Sequence, residues 1–180
     1  MTVTKKDIFS PANAVSLIGL SMTIWGSLHI GSLAGVIVLG LGRFIDIFDG
    51  KIARATHVSQ FGATVDATCD KIGIAFLVPA IWIAGIAPYW LLIYILVQNL
   101  LNVGISMVTA ARKGVPAASR YGKHALFIQN ISLGSYALGN TIDNRFFTTL
   151  GLILGIASIY WAARATYGYL KLVPQKTTDR

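Results

Sequence analysis

No glutamate occurs in these 180 residues, and charge of either sign is scarce. Asp, Lys and Arg together make up 12% of the chain, against roughly a quarter in soluble domains. With 54% hydrophobic residues and a mean hydropathy of +0.65, a typical water-soluble domain is excluded. A single cysteine, Cys69, excludes an intrachain disulfide framework and reads as small apolar packing. The seven acids are all Asp, and four of them, Asp46, Asp49, Asp66 and Asp70, fall inside one short window.

Charge is missing altogether from Ile8 to Gly42, Ile72 to Ala111, Ala125 to Ile142 and Phe146 to Ala163. A bilayer-spanning helix needs about 20 mainly apolar residues. The first two tracts are long enough for two helices each, and turn-forming sequence breaks both midway, at His29-Ile30-Gly31-Ser32 and Gly85-Ile86-Ala87-Pro88. The expected fold is all-α, a polytopic membrane protein with six transmembrane helices near 12–30, 32–57, 61–84, 88–112, 121–141 and 145–172. Residues 1–180 read as one domain. The first tract has a basic start but runs long and lacks a small-residue cleavage site, so it reads as a span rather than a cleaved leader.

The net charge of +8 raises nucleic acid as a partner, but the placement of the bases argues against it. With six spans, Lys5, Lys6, Lys51, Arg54, Arg112, Lys113, Arg120, Lys123, Lys171, Lys176 and Arg180 fall on one side, and Arg145 is the only base near the other ends. The excess of positive charge on the inner face then places both termini and the 2–3 and 4–5 loops in the cytoplasm of a cell-membrane protein. The lipid bilayer is the expected partner of most of these bases.

The informative window reads DIFDGKIARATHVSQFGATVDATCDK. Asp46 and Asp49 are spaced i, i+3 and Asp66 and Asp70 i, i+4, so each pair shares a helix face. Antiparallel neighbours joined by a short connection bring the pairs to similar depth. Four clustered carboxylates need compensating charge, from Arg43, Arg54 and Lys71 or from divalent cations. Oxygen-only ligands select Mg²⁺, Mn²⁺ or Ca²⁺ over zinc. Gly50, Ala53, Gly62 and Gly73 flank the acids, and Gly50 and Gly62 read as room for a ligand. Gly31/Gly35 and Gly151/Gly155 read as ordinary helix packing, and such patterns are compatible with a homodimer.

Asp46-x-x-Asp49-Gly50-x-x-Ala53-Arg54, then Gly62-x-x-x-Asp66-x-x-x-Asp70, resembles the signature of the CDP-alcohol phosphotransferases at every fixed position. The opening SPANAVSLIGL resembles the family's first helix, with Ala12 inserted between Pro11 and Asn13. The resemblance implies an enzyme that replaces CMP on a CDP-linked donor with an alcohol. It implies that Asp46, Asp49, Asp66 and Asp70 hold two divalent ions, Mg²⁺ or Mn²⁺, with Asp70 also the general base. Asn13, Ser16, Gly50, Ala53, Arg54 and Gly62 are then the donor nucleotide and phosphate contacts. Pyrophosphate chemistry is consistent with this, since it needs neutralised oxygens and a positioned nucleophile.

Asp70-Lys71 and ARKGVPAASRYGKHALFIQ resemble the phosphatidylglycerophosphate synthase branch, implying CDP-diacylglycerol as donor and sn-glycerol 3-phosphate as acceptor. Gly122, Lys123 and Gln129 match that branch's Gly-Lys-x-Lys-Thr-x-x-Gln, while Ala125 and Leu126 replace its second Lys and its Thr. Arg112, Arg120, Lys123 and Arg164 are the candidate acceptor ligands, with Lys113 and His124 beside them. Inositol phosphate and phosphatidylglycerol are the alternative acceptors. A cation transporter or channel is the alternative from a different class, and the one-sided clustering of the acids weighs against it. Trp25, Trp82, Tyr89, Trp90, Tyr167 and Tyr169 read as interfacial aromatics, His29 as remote from the acids and His57 as surface.

Overall fold

The computed structural model describes residues 10–56, 60–113 and 120–172, with side chains described outside positions 12, 46–56, 60–61, 63–64, 66–67, 106–113, 120 and 169–172. Those residues form α1 (Pro11–Leu28), α2 (Leu33–Thr56), α3 (Gln60–Ile83), α4 (Tyr89–Lys113), α5 (Arg120–Thr141) and α6 (Arg145–Leu172). Each boundary falls within two residues of its expected position.

The ends of the helices follow from local chemistry. Ser10 caps α1, its hydroxyl accepting from the Asn13 amide at 3.2 Å, and Pro11 takes the first turn, where its missing N–H costs nothing. Ser32 caps α2 in the same way, accepting from the Gly35 amide at 3.0 Å. At the end of α3, Gly85 adopts φ +65°. Its amide bonds to the Trp82 carbonyl and that of Ile86 to the Ile81 carbonyl, at 3.1 and 3.2 Å. Such a left-handed stop satisfies the last carbonyls and favours glycine. Asp143 (φ 48°) makes the corresponding turn after α5, with the Asn144 amide on the Gly139 carbonyl at 2.8 Å.

The chain divides into two compact units, residues 1–86 with 137–144, and residues 87–136 with 145–180. In the first, α1 packs on both α2 and α3. The α1–α2 crossing is a backbone-to-backbone contact. A Cβ on Gly26 would stand 2.7 Å from the Gly35 carbonyl oxygen and the Leu39 nitrogen, and one on Gly42 would stand 2.9 Å from the Gly19 carbonyl oxygen. Gly35 is part of this crossing, but Gly31 faces open space, so the expected Gly31/Gly35 packing pair is half right.

In the second unit, α4 packs on α6, and polar side chains join its helices. Ser132 donates to the Gly151 carbonyl at 2.6 Å, Asn99 to the side-chain Oε1 of Gln129 at 3.1 Å, and Gln98 to the Ala162 carbonyl at 3.5 Å. Gly151 and Gly155 take the Tyr136 ring and Leu91 against their backbones, as expected of a packing pair.

Burial in this molecule is partly inverted. Thr23, Ser27, Gln129, Ser132 and Ser158 are almost wholly buried, while Leu17, Ile37, Phe44, Phe76, Ile83, Leu100, Phe146 and Ile153 are exposed. Among the described residues one helix segment, Arg145–Gly168, is long and apolar enough to cross a membrane, with a mean hydropathy of 1.7. Only 22% of its apolar window is buried, unlike the core helix of a soluble protein. The apolar stretches Asn13–Leu28, Leu33–Ile45 and Tyr89–Ile105 are shorter.

Candidate active site

The carboxylate frame belongs to the first unit. Asp46 and Asp49 stand one turn apart in α2, and Asp66 and Asp70 one turn apart in α3. Both segments are helical, as the i, i+3 and i, i+4 spacings require. The side chains of Asp46, Asp49, Gly50, Ala53, Arg54 and Asp66 lie outside the described set, as does His57.

Asp70 is described in full. It continues the inward face of α3, where Gly73, Ile74 and Leu77 are buried, while Lys71 and Ile72 on the opposite face are exposed. Its Oδ1 accepts from Arg43 Nη1 of α2 at 3.3 Å, with the two side chains 33% and 15% exposed. Of the three bases expected to balance the acids, then, Arg43 reaches across to the second pair and Lys71 turns outward. Arg43 lies one turn before Asp46 in sequence, a spacing that says nothing of its contact with Asp70 on the facing helix.

At Gly73, which flanks the acids, a Cβ would stand 2.5 Å from Arg43 Nη2, so the space against its backbone holds the guanidinium. Asn13 and Ser16, the candidate donor contacts on α1, are buried at 5% and 3% exposure, and Gly62 is half-buried. Cys69 is buried and in no disulfide, in keeping with a packing role.

The candidate acceptor residues Arg112, Arg120, Lys123 and Arg164 belong to the second unit. The side chains of Arg112 and Arg120 are outside the described set, and Lys123 and Arg164 are exposed. Arg164 lies over the Tyr121 ring, Cζ 5.3 Å from its centroid. Tyr121 stacks on Trp161 at 6.0 Å, and His124 meets the same indole at 5.4 Å. This aromatic–cation cluster was not foreseen. Its signal is weak: only the one-turn spacing of Tyr121 and His124 and of Trp161 and Arg164 marks two helix faces, and nothing in the chain says that they meet. Among the expected interfacial aromatics, Trp25, Trp82, Tyr89, Trp90 and Tyr167 are exposed. His29 stacks on Trp25 at 4.2 Å in the turn after α1.

Residues 9–168 match the family described as CDP-alcohol phosphatidyltransferase. The chain belongs to that family. Members of the CDP-alcohol phosphatidyltransferase family are membrane enzymes that transfer phosphatidyl groups and generally depend on divalent cations. The CDP-diacylglycerol–glycerol-3-phosphate 3-phosphatidyltransferase of Bacillus subtilis is 29% identical over 124 residues, covering 64% of this chain and 64% of that protein. A probable phosphatidylglycerophosphate synthase of Mycobacterium tuberculosis is 34% identical over 94 residues, 52% of this chain and 44% of the relative. An archaetidylinositol phosphate synthase of Pyrococcus horikoshii is 37% identical over 82 residues, 43% of each chain. The chain thus spans less than two thirds of the length of these curated relatives. Among solved structures, a phosphatidylinositol phosphate synthase of M. tuberculosis with CDP-DAG bound has a TM-score of 0.57 at 21% identity, covering 96% of this chain and 92% of that one. That likeness is one of fold.

Proposed function

We propose that the chain transfers a phosphatidyl group from CDP-diacylglycerol to sn-glycerol 3-phosphate, releasing CMP. The observation that carries this reading is the complete Asp46/Asp49/Gly50/Ala53/Arg54 and Gly62/Asp66/Asp70 set, on two consecutive helices of one compact unit, in a chain that matches the family over residues 9–168. In the reaction, the acceptor hydroxyl oxygen forms a bond to the phosphorus that carries diacylglycerol. The bond from that phosphorus to the bridging pyrophosphate oxygen breaks, and CMP leaves with the electron pair. Asp70 takes the hydroxyl proton. Arg54, Asn13, Ser16, Gly50, Ala53 and Gly62 hold and make room for the donor's nucleotide and phosphates.

The donor set fits a divalent-cation centre: four carboxylates in one-turn pairs, hard oxygen ligands of the kind Mg²⁺ and Mn²⁺ take. Asp46, Asp49, Asp66 and Asp70 would hold two such ions, which when bound neutralise charge on the pyrophosphate oxygens. Arg112, Arg120, Lys123 and Arg164 are the proposed ligands of the acceptor phosphate, each a charge-assisted donor.

The molecule is proposed to be a single multi-pass domain with six spans, both termini and the active site cytoplasmic. Exposed Leu, Ile and Phe along α1 to α6, together with buried Ser, Thr and Gln, support immersion in lipid, where water cannot satisfy polar groups. A homodimer is part of the same proposal.

Inositol phosphate is the second reading for the acceptor. It is favoured by Ala125, 2% exposed, and Leu126 at the positions of the phosphatidylglycerophosphate branch's second Lys and its Thr. The test is purified protein with CDP-diacylglycerol, Mg²⁺ or Mn²⁺, and each alcohol in turn. CMP and phosphatidylglycerophosphate appearing only with glycerol 3-phosphate supports the proposal. Product with inositol phosphate alone replaces the acceptor, and no acceptor-dependent CMP with any alcohol rejects the enzyme.

A further inference from the structure

We propose that Arg43 is a positioning residue for the Asp70 carboxylate, and that Gly73 is the seat that admits its guanidinium. The proposal rests on the phosphatidyl-transfer reading and adds to it two residues outside the eight-position signature.

Three observations meet at this point. Arg43 crosses from α2 to α3 and donates to Asp70 Oδ1 at 3.3 Å. Both side chains are largely withdrawn from the surface, at 15% and 33% exposure, which is uncommon for charges without a specific arrangement. One turn beyond Asp70, Gly73 leaves a space that the guanidinium fills. A Cβ there would stand 2.5 Å from Nη2, 3.1 Å from Cζ and 3.3 Å from Nη1. An alanine at 73 therefore displaces the Arg43 side chain, whose guanidinium supplies the three atoms nearest to such a Cβ.

The chemistry of this contact has two separable parts. Geometrically, the guanidinium donating to Oδ1 holds the carboxylate in one orientation for the acceptor hydroxyl. Electrostatically, a permanent positive charge beside Asp70 weakens that carboxylate's hold on a divalent cation. Deleting the charge therefore slows turnover while tightening cation binding. A residue that merely held the fold would lose both together with stability.

The experiment uses the full chain, purified in detergent, as wild type, Arg43→Met, Arg43→Lys and Gly73→Ala. Each is measured for CMP release, for Mn²⁺ binding by the paramagnetic resonance of free Mn²⁺, and for thermal unfolding. Arg43→Met is expected to lower kcat by about 30-fold or more with the donor KM within about twofold. It should bind Mn²⁺ about fivefold more tightly. Arg43→Lys keeps the wild-type Mn²⁺ affinity and restores part of kcat. Gly73→Ala keeps the charge, moves the guanidinium and lowers kcat about tenfold.

The proposal is overturned by kcat of Arg43→Met within twofold of wild type, or by kcat, Mn²⁺ affinity and unfolding temperature falling together. If Arg43→Met does not fold, Gly73→Ala decides, and full activity in that variant overturns the proposal. Wild-type protein that releases no CMP rejects the phosphatidyl-transfer reading. The Mn²⁺ titrations of the Met and Lys variants then still decide whether Arg43 acts on the carboxylates.

Discussion

Adding a single methyl group has opposite effects at two glycines of the first unit. At Gly26 on α1, a Cβ would come within 2.7 Å of the Gly35 carbonyl oxygen and the Leu39 nitrogen and 2.8 Å from Leu39 Cβ. Two of these atoms are backbone of α2, so no side-chain rotation relieves the contact. Ordinary van der Waals separation begins near 3.4 Å, so the helices must part by roughly 0.7 Å. Overpacking of this kind costs about 1–3 kcal/mol. Alanine in a helix returns about 0.5–1 kcal/mol relative to glycine. Gly26→Ala should therefore lose up to about 2.5 kcal/mol, and about 1.2 kcal/mol at the middle of both ranges. At Gly40 on α2 nothing lies within 4 Å, so Gly40→Ala keeps only the gain of about 0.5–1 kcal/mol.

Thermal unfolding of both variants in one detergent separates the two signs. For a chain of this size 1 kcal/mol moves the midpoint by roughly 2–4 °C, so Gly26→Ala should fall by about 2–5 °C at the middle of its range and Gly40→Ala rise by about 1–4 °C. The consequence for activity follows from the packing. α1 carries Asn13 and Ser16 and rests on both carboxylate helices, so parting α1 from α2 should also lower CMP release. An unfolding midpoint for Gly26→Ala at or above wild type, with Gly40→Ala raised as expected, would refute the close crossing.

Three further outcomes are expected. Asp49→Asn and Asp66→Asn should each lower CMP release by at least about 100-fold with unchanged far-UV circular dichroism, and chelation of divalent ions should do the same reversibly; wild-type rates in either variant remove that residue from the centre. Asn99→Leu, Gln129→Leu and their double mutant should give a coupling of about 0.6–1.7 kcal/mol from the 3.1 Å amide pair, and additive losses would dissolve it. Arg164→Gln should raise the KM for the acceptor about 10-fold with the donor KM unchanged, while Tyr121→Leu, which removes the ring under Arg164 together with its stacking on Trp161 but keeps the charge, should raise it less; an unchanged acceptor KM in Arg164→Gln takes this arginine out of the acceptor site.

Helix existence and position were legible from the chain because each depends on neighbours in sequence. Charge-free tracts, the Ser10-Pro11 start and the Gly85 stop all act within a few residues, and helix and cap geometry are local. That Asp46 and Asp49, and Asp66 and Asp70, stand one helix turn apart was legible for the same reason, since each spacing lies within a single helix. Arg43 shows where such reading ends. Its sequence neighbour on the helix is Asp46, and nothing local says that a guanidinium on a long flexible stem reaches a carboxylate of the facing helix. Asp70 is 27 positions away. Likewise, nothing local distinguished Gly31, in open space, from Gly26 and Gly35, which are crossing points.

By itself, then, the sequence determined that the chain is helical, where its helices begin and end, and which acids share a helix turn. Tertiary structure alone decided that Gly73's missing side chain makes room for Arg43, that Arg43 meets Asp70, and that Arg164 rests on Tyr121. Those contacts depend on the distance and rotation between two helices, which the close packing of many small side chains sets collectively.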